Sequence, residues 1–371
     1  MTRRLRPSRL AAAAALVLSA GAAGLGLYVR REMGASRAEL ARIAAGSPHA
    51  RDGAFANLEP ASRDAGVVLR MVANMLRGTP AVSAPPEWIP LSPLVVPPCP
   101  SALAATWLGH ACVLLEVDGR RVLTDPVWSR CASPVPFAGP KRLHPVVAPL
   151  DALPPCEVVL LSHDHYDHLD RRTVLALART TDAVFVAPLG VGAHLRSWGV
   201  PAERVVERDH DGVAEVAGLT LTCLPARHFS GRGLRPDTTQ WAAWKVAGGE
   251  HTVYVGGDSG PSRVHAATGA AHGPFDLTVL PIGAYDEGWA GLHLDPEQAV
   301  AAHRALRGRL MLPMHWATFN LGFHPWDEPA ERARKAAAAD DVTLLLPRPG
   351  ERVDATGPGP FPAEPWWPAP R

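Results

Sequence analysis

No surplus of charge of either sign marks this chain. Acids and bases nearly cancel, leaving a formal net charge of +1, so no general field draws in nucleic acid. No dense basic run lies near the motifs described below, which argues against a cyclic-nucleotide or RNA substrate. The five cysteines, Cys99, Cys112, Cys131, Cys156 and Cys223, form no C-x-x-C pair. They read as scattered small core residues, not as a disulfide framework or a thiolate metal site. The odd count also argues against an extensively oxidised fold. There is no G-x-S-x-G elbow to supply a serine nucleophile, and no internal repeat is evident.

Apolar residues are plentiful, at 47% of 371 positions, enough for one large core or two modest ones. The first apolar run, Leu10 to Val29, contains no charge and follows Arg3, Arg4, Arg6 and Arg9. About 20 such residues suffice to cross a bilayer as a helix. Residues 1–32 are therefore expected to be a retained signal-anchor, with a signal peptide cleaved near Ala20-Gly21-Ala22 as the competing reading. The rest of the chain is then expected at a membrane, on the periplasmic or extracytoplasmic side. Arginines at both ends of the run weaken the charge bias that would orient it.

Residues 33–100 read as a linker with an N-terminal helical region. Within it Val68, Met71, Val72, Met75 and Leu76 make a helical stripe, either packed on the main domain or meeting lipid. Over residues 101–350, short strand-like runs such as Val158–Leu161, Leu219–Leu224 and Leu310–Met314 alternate with helical ones. Asp295-Pro296-Glu297-Gln298 has the cap, the proline and the glutamine of a helix start. This alternation predicts an α/β layered fold. Residues 351–371 form a Pro-rich tail, expected to be disordered after Gly357.

The most informative run is Ser162-His163-Asp164-His165-Tyr166-Asp167-His168, placed directly after an apolar strand. Histidine and aspartate are the usual ligands of borderline metals such as zinc. The H-x-H-x-D-H spacing sets the first two imidazoles on one face of the loop and turns the Asp-His pair toward a second position. That layout suits two metal ions about 3.5–4 Å apart, which can activate a water between them. Three later residues complete the set, each after a predicted strand: His228, Asp258 in Gly256-Gly257-Asp258-Ser259-Gly260, and His315. A carboxylate such as Asp258 can bridge two cations, and its flanking glycines allow close backbone approach.

The order of these ligands resembles the metallo-β-lactamase superfamily. Further runs are similar to its N-acylphosphatidylethanolamine-hydrolysing phospholipase D family: Thr106-Trp107-Leu108-Gly109-His110-Ala111, Leu123-Thr124-Asp125-Pro126, Gly139-Pro140-Lys141-Arg142 and Pro281-Ile282-Gly283-Ala284-Tyr285. Phe55-Ala56-Asn57 resembles that family's N-terminal region, and the likeness spans roughly residues 53–350. It implies a four-layer αββα sandwich carrying two zinc ions (Zn2+). By the same resemblance His163, His165 and His228 hold the first ion, Asp167, His168 and His315 the second, and Asp258 bridges them. His293 is implied near the substrate head group. Asp125 reads either as a support accepting a ring N–H from a ligand histidine or as a turn aspartate before Pro126. His110 and Asp164 are candidate supports.

The implied activity is a phospholipase D on N-acylphosphatidylethanolamine-type lipids, with Asp167 and His293 as catalytic candidates. Its expected partners are a phospholipid or other small phosphodiester and a membrane, not nucleic acid. A lactonase or another phosphodiesterase on the same site is the alternative within enzymes. A catalytically inactive membrane-tethered binding protein is the alternative outside them, but it would need a lost ligand. All seven positions are filled. Histidines such as His49, His144, His251 and His272 show no partner pattern and read as ordinary.

Overall fold

Strand burial dictates a layered architecture. In the strand Cys112–Val117, residues Val113, Leu115 and Val117 join one buried cluster while Cys112 and Leu114 join another. Successive side chains point to opposite faces, so a strand buried on both faces must be covered on both sides. The computed structural model describes residues 23–59, 84–85, 89–233 and 235–367.

A small hairpin, β1 (Ala50–Arg51) and β2 (Ala54–Phe55), precedes the main sheets. The first sheet is built from β3 (Leu103–Gly109), β4 (Cys112–Val117), β5 (Arg120–Thr124), β6 (Val158–Leu160), β7 (Val184–Pro188) and β8 (Val205–Arg208). The second takes β9 (Val213–Val216), β10 (Leu219–Leu224), β11 (Ala243–Ala247), β12 (Thr252–Val255), β13 (Phe275–Pro281), β14 (Gly308–Met314) and β15 (Thr343–Leu344). Strand β16 (Arg352–Asp354) returns to the first sheet beside β3. The orders are β16-β3-β4-β5-β6-β7-β8 and β9-β10-β11-β12-β13-β14-β15. In each sheet the first three pairings are antiparallel, and the last three are parallel. The two sheets thus repeat one topology that no sequence repeat discloses.

Parallel neighbours need crossovers. Helices at Arg171–Thr180 and Val191–Trp198 serve the first sheet, and helices at Val264–His272, Pro296–Ala305 and Glu328–Ala339 the second. Trp107, Val113 and Leu115 from one sheet pack with Trp244, Val246 and Val253 from the other. Leu114, Val159 and Phe185 pack outward under Val174, Leu177, Val191 and Leu195 of two helices. The result is the expected αββα sandwich. The helix start at Asp295 also forms as read, with the Asp295 side chain accepting from Gln298 N–H at 2.8 Å in a reciprocal capping box. Four of the free cysteines are buried, and Cys99 is exposed.

The membrane-spanning expectation is corrected. Among the described residues no helix is long and apolar enough to cross a membrane, and the extracytoplasmic placement that rested on such a span falls with it. Residues 1–22 lie outside the described residues. The end of the apolar run enters a helix at 23–33 that is held to the sandwich by polar contacts. Arg232 donates from Nε and Nη2 to the Glu32 carbonyl at 3.0 and 2.9 Å. The Glu32 carboxylate pairs with Arg171 at 3.2 Å, and the Trp198 indole donates to the Arg31 carbonyl at 2.8 Å. The expected helical stripe from Val68 to Leu76 also lies outside the described residues. The tail differs from expectation as well: Trp367 is buried, and Trp366 stacks on Trp316 with ring centroids 5.3 Å apart. Proline-rich composition excluded regular elements there but not aromatic packing.

Burial also sets an acid limit on stability. His303, on the helix Pro296–Ala305 with the Thr278 hydroxyl 2.8 Å from its Nδ1, is pushed down to about 4 by desolvation. An unfolded imidazole protonates near pH 6.5, so below that pH the unfolded chain binds more protons than the folded one. This contribution to stability is complete above pH 6.5 and is lost as pH falls toward 4, at roughly 1.4 kcal/mol per pKa unit. The melting temperature is therefore expected to fall between pH 7 and pH 4.5, with His303→Gln recovering part of the drop. An identical fall in the variant would refute the assignment.

Candidate metal centre

Each candidate ligand stands just beyond a strand end at one edge of the sandwich. The run from Ser162 to His168 follows β6, His228 follows β10, Asp258 follows β12 and His315 follows β14. The first loop is pinned at both ends. Ser162 donates its N–H and its hydroxyl to the two oxygens of Asp125 at 2.7 and 2.6 Å. Asp170 caps the next helix by accepting from Arg172 N–H at 3.2 Å. Gly257, at φ +55°, brings the second sheet close: a Cβ there would lie 2.6 Å from the Ser162 Cβ and 2.9 Å from the Ala242 carbonyl. Only glycine fits so near an approach beside Asp258.

The side chains gather in two groups. His163, His165 and His228 direct nitrogens at one point, with His163 Nε2 and His228 Nε2 at 2.9 and 3.3 Å from His165 Nδ1. Asp167, His168 and His315 form the second, joined by His110. In this group the Asp167 Oδ2 lies 3.4 Å from both His168 Nε2 and His315 Nε2. Between them sits Asp258, whose Oδ2 is 3.1 Å from His315, 3.3 Å from His168, 3.6 Å from His228 and 4.0 Å from His163. His293 Nδ1 approaches the same oxygen at 3.7 Å. All seven residues predicted as ligands are therefore together.

The supports are equally defined. Asp125 lies 2.9 Å from His168 Nδ1, which aims Nε2 at the centre, and it also anchors the loop. The Leu292 carbonyl plays the same part for His228, 3.0 Å from Nδ1. His110 Nε2 is 2.9 Å from Asp167 Oδ2. Asp164 faces away: it accepts from Gly231 N–H at 2.7 Å and sits 3.3 Å from His194 Nε2. Three supports escaped sequence reading. Asn57 grips the backbone of His228 from both sides, accepting its N–H at 3.0 Å and donating to its carbonyl at 2.8 Å. The Thr318 hydroxyl accepts from His110 N–H at 2.7 Å, with His144 3.1 Å behind it. Ser162 is the third. Asn57 and Ser162 lie in runs with a sequence signature, Phe55-Ala56-Asn57 and Ser162 to His168, whereas Thr318 lies in none.

Electrostatics calls for a cation. Burial, together with neighbouring imidazoles, holds His163 and His228 well below the usual histidine range. Burial also opposes charge on His168 and His315, yet Asp258 and Asp167 carry both upward, His315 to about 9. Burial lowers His293 to about 4. Several buried atoms at the centre have no hydrogen-bond partner: Asp258 Oδ1, His168 Nε2, His293 Nδ1 and His315 Nε2. Unpaired buried donors and acceptors are costly, and a borderline divalent ion bound by nitrogen and oxygen ligands would satisfy them. The centre forms the floor of a cavity of about 620 Å3, whose walls include Pro140, Phe229, Trp289, Leu292, Leu321 and Phe323.

Comparison with known proteins identifies the family and the fold. The family model described as the β-lactamase superfamily domain matches residues 120–316. An uncharacterised protein of Mycobacterium tuberculosis is 48% identical over 95% of this chain and 98% of its own length. A Caenorhabditis elegans protein named N-acyl-phosphatidylethanolamine-hydrolyzing phospholipase D 1 is 38% identical over 60% of this chain and 66% of its own length. Among solved structures, a metallo hydrolase from the archaeon Ignicoccus hospitalis superposes with a TM-score of 0.50 at 23% identity, covering 68% of this chain and 97% of that one. The last likeness shows the shared fold.

Asp125 offers a direct check on the centre. Asp125→Asn keeps the side-chain shape but removes the charge that holds His168 Nδ1–H. Metal affinity, read by competition with a chelator, is expected to fall by roughly 10–100-fold while the far-ultraviolet circular dichroism spectrum is unchanged. Wild-type affinity in the variant would reduce Asp125 to a turn residue.

Proposed function

The chain belongs to the β-lactamase superfamily as a metal-dependent hydrolase, and from that premise we propose that it cleaves a phosphodiester in a lipid. The reaction is that of a phospholipase D on N-acylphosphatidylethanolamine-type substrates. The observation that carries this reading is the pocket. Its floor is a cluster of imidazoles and carboxylates suited to cations that would in turn bind phosphoryl oxygens, and its walls carry apolar side chains suited to acyl chains. The partial likeness to the phospholipase D of C. elegans supports the same substrate class.

The donor set fits two zinc ions. His163, His165 and His228 would hold one, Asp167, His168 and His315 the other, and Asp258 lies within reach of both groups. When bound, such ions lower the pKa of a water and neutralise charge on phosphoryl oxygens. In the overall reaction the oxygen of water bonds to phosphorus and the P–O bond to the N-acylethanolamine breaks. The departing oxygen gains a proton, leaving phosphatidic acid.

The chain's own residues position and assist. Asp125 and the Leu292 carbonyl orient His168 and His228. Asp167 has His110 as a partner at 2.9 Å, and we assign it the second task of managing a proton. His293 lines the pocket with Nδ1 unpartnered and is placed to hydrogen-bond the head group. Phe229 packs edge-on against His165, with ring centroids 4.5 Å apart, and keeps water from that side of the ligand.

A product assay on the full-length protein tests this reading. The panel comprises N-acylphosphatidylethanolamine, unmodified phosphatidylethanolamine, a soluble phosphodiester and a lactone. Phosphatidic acid is expected from the N-acylated lipid, falling at least 100-fold in His165→Ala, and about 10–100-fold with a raised KM in His293→Ala. Turnover of the lactone with no phosphodiester cleaved would overturn the proposal.

A further inference from the structure

A second group of metal-type ligands lies outside the centre. His49, Asp209 and His210 each offer a ligand atom, and these atoms all fall within 4.8 Å of one another. His49 immediately precedes β1, whereas Asp209 and His210 follow β8, so the group joins the N-terminal segment to the sandwich. His49 Nε2 is 3.9 Å from Asp209 Oδ1, and the His49 and His210 rings lie 5.0 Å apart at their centroids. Ligands held at about 2.0–2.2 Å around one tetrahedral ion stand roughly 3.3–3.6 Å from each other, so small side-chain adjustments suffice.

The state of His210 is the independent indication. It is only 8% exposed, and its Nε2 faces the Trp241 carbonyl at 3.1 Å. A carbonyl can only accept, so Nε2 carries the proton and Nδ1 keeps a bare lone pair. That Nδ1 is buried and has no hydrogen-bond partner. A carbonyl holding one ring nitrogen while the other remains open is the usual way a ligand histidine is prepared. The carboxylate is fixed in turn. Asp209 accepts from the Ser47 hydroxyl at 2.6 Å, from the Gln240 amide at 2.6 Å and from His210 N–H at 2.8 Å. The His49 and Asp209 side chains are 24% and 25% exposed, which leaves an entry path and room for water as a fourth ligand.

We propose that His49, Asp209 and His210 form a separate site for a borderline divalent cation such as Zn2+, clamping the N-terminal segment onto the sandwich. The clamp adjoins the main centre through a chain of contacts. Trp241, whose carbonyl orients His210, donates its indole N–H to Asn57 at 3.1 Å, and Asn57 grips the backbone of His228.

Ion stoichiometry tests it. Metal-free full-length protein is loaded with Zn2+, freed of excess, and bound zinc per chain is measured. His49→Ala and, as a milder change, His49→Gln are each expected to bind one equivalent less than wild type, with unchanged secondary structure. The same single equivalent is expected to disappear when His49→Ala is added to His165→Ala. That arm does not depend on how many ions the main centre holds, so failure there is distinct from failure of the hydrolase reading. Equal stoichiometry in His49→Ala, His49→Gln and wild type would overturn the site.

Discussion

The functional edge of this protein depends on one buried carboxylate. Asp258 is almost wholly enclosed and is held in its charged form although burial alone would raise it, because His168 and His315 stand against it. An ionised group in such a place is tolerable only when paired and coordinated. Asp258 comes from the second sheet, whereas His163 to His168 come from the first. Compensating its charge therefore requires the two sheets to meet in one register. The chain secures that register by direct bonds between the layers. The Trp244 indole donates to the Leu161 carbonyl at 2.9 Å, and Ala242 N–H donates to the Ser162 carbonyl at 2.9 Å. Core packing and site geometry are one constraint here, because the tryptophan that fills the interior also positions the histidine loop.

Placing side chains so closely strains the backbone. His110, Asp125 and His315 all occupy the left-handed region, at φ 53°, 35° and 65°. Residues with a Cβ avoid that region at roughly 1–2 kcal/mol each. These three persist because neighbours hold them: His315 N–H donates to the His110 carbonyl at 3.0 Å, His110 N–H donates to Thr318, and Asp125 N–H donates to the Leu160 carbonyl at 2.9 Å. Non-glycine residues held there are a mark of functional sites. The hydrogen-bonded ladder His315–His110–Thr318 keeps a candidate ligand and its neighbour in fixed relation, so His315 cannot relax without displacing the residue that faces Asp167.

The legible part of the fold was the part written in local chemistry. Strands such as Leu219–Leu224 and Gly308–Met314 are apolar runs bounded by breakers, and the helix after Asp295 announces itself with a cap, a proline and a glutamine. The clustering of the candidate ligands was legible because imidazoles and carboxylates at strand ends are dense and unusual. Elements without a local signature were missed. The helix Val264–His272 is built of small residues with little polarity contrast between its faces, and β8 is nowhere fully buried. The leading apolar run misled for a related reason. Hydropathy records that a segment is apolar, but not that Arg232, Arg171 and Trp198, well over a hundred residues away, hold its end on the sandwich. His49 shows no partner pattern for the same reason: Asp209 and His210 are about 160 residues distant in sequence and adjacent to it only in space.

Part of the N-terminal segment packs directly against the candidate centre and its surroundings. Between Ser47 and Asn57 it supplies one hydroxyl to Asp209, one imidazole to the group at the end of β8, and one amide that grips a metal-centre histidine from both sides. A carboxamide that both donates to and accepts from the same backbone residue fixes that residue in position and in rotation, which a lone hydrogen bond would not. His228 is also the candidate ligand whose ring is oriented by the Leu292 carbonyl, and Leu292 and His293 themselves line the pocket. Placement of this one imidazole thus couples the N-terminal segment, the second sheet and the substrate wall. Loosening any of the three would move the ligand by a fraction of an ångström, and a hydrolytic centre of this kind works only while such distances are kept.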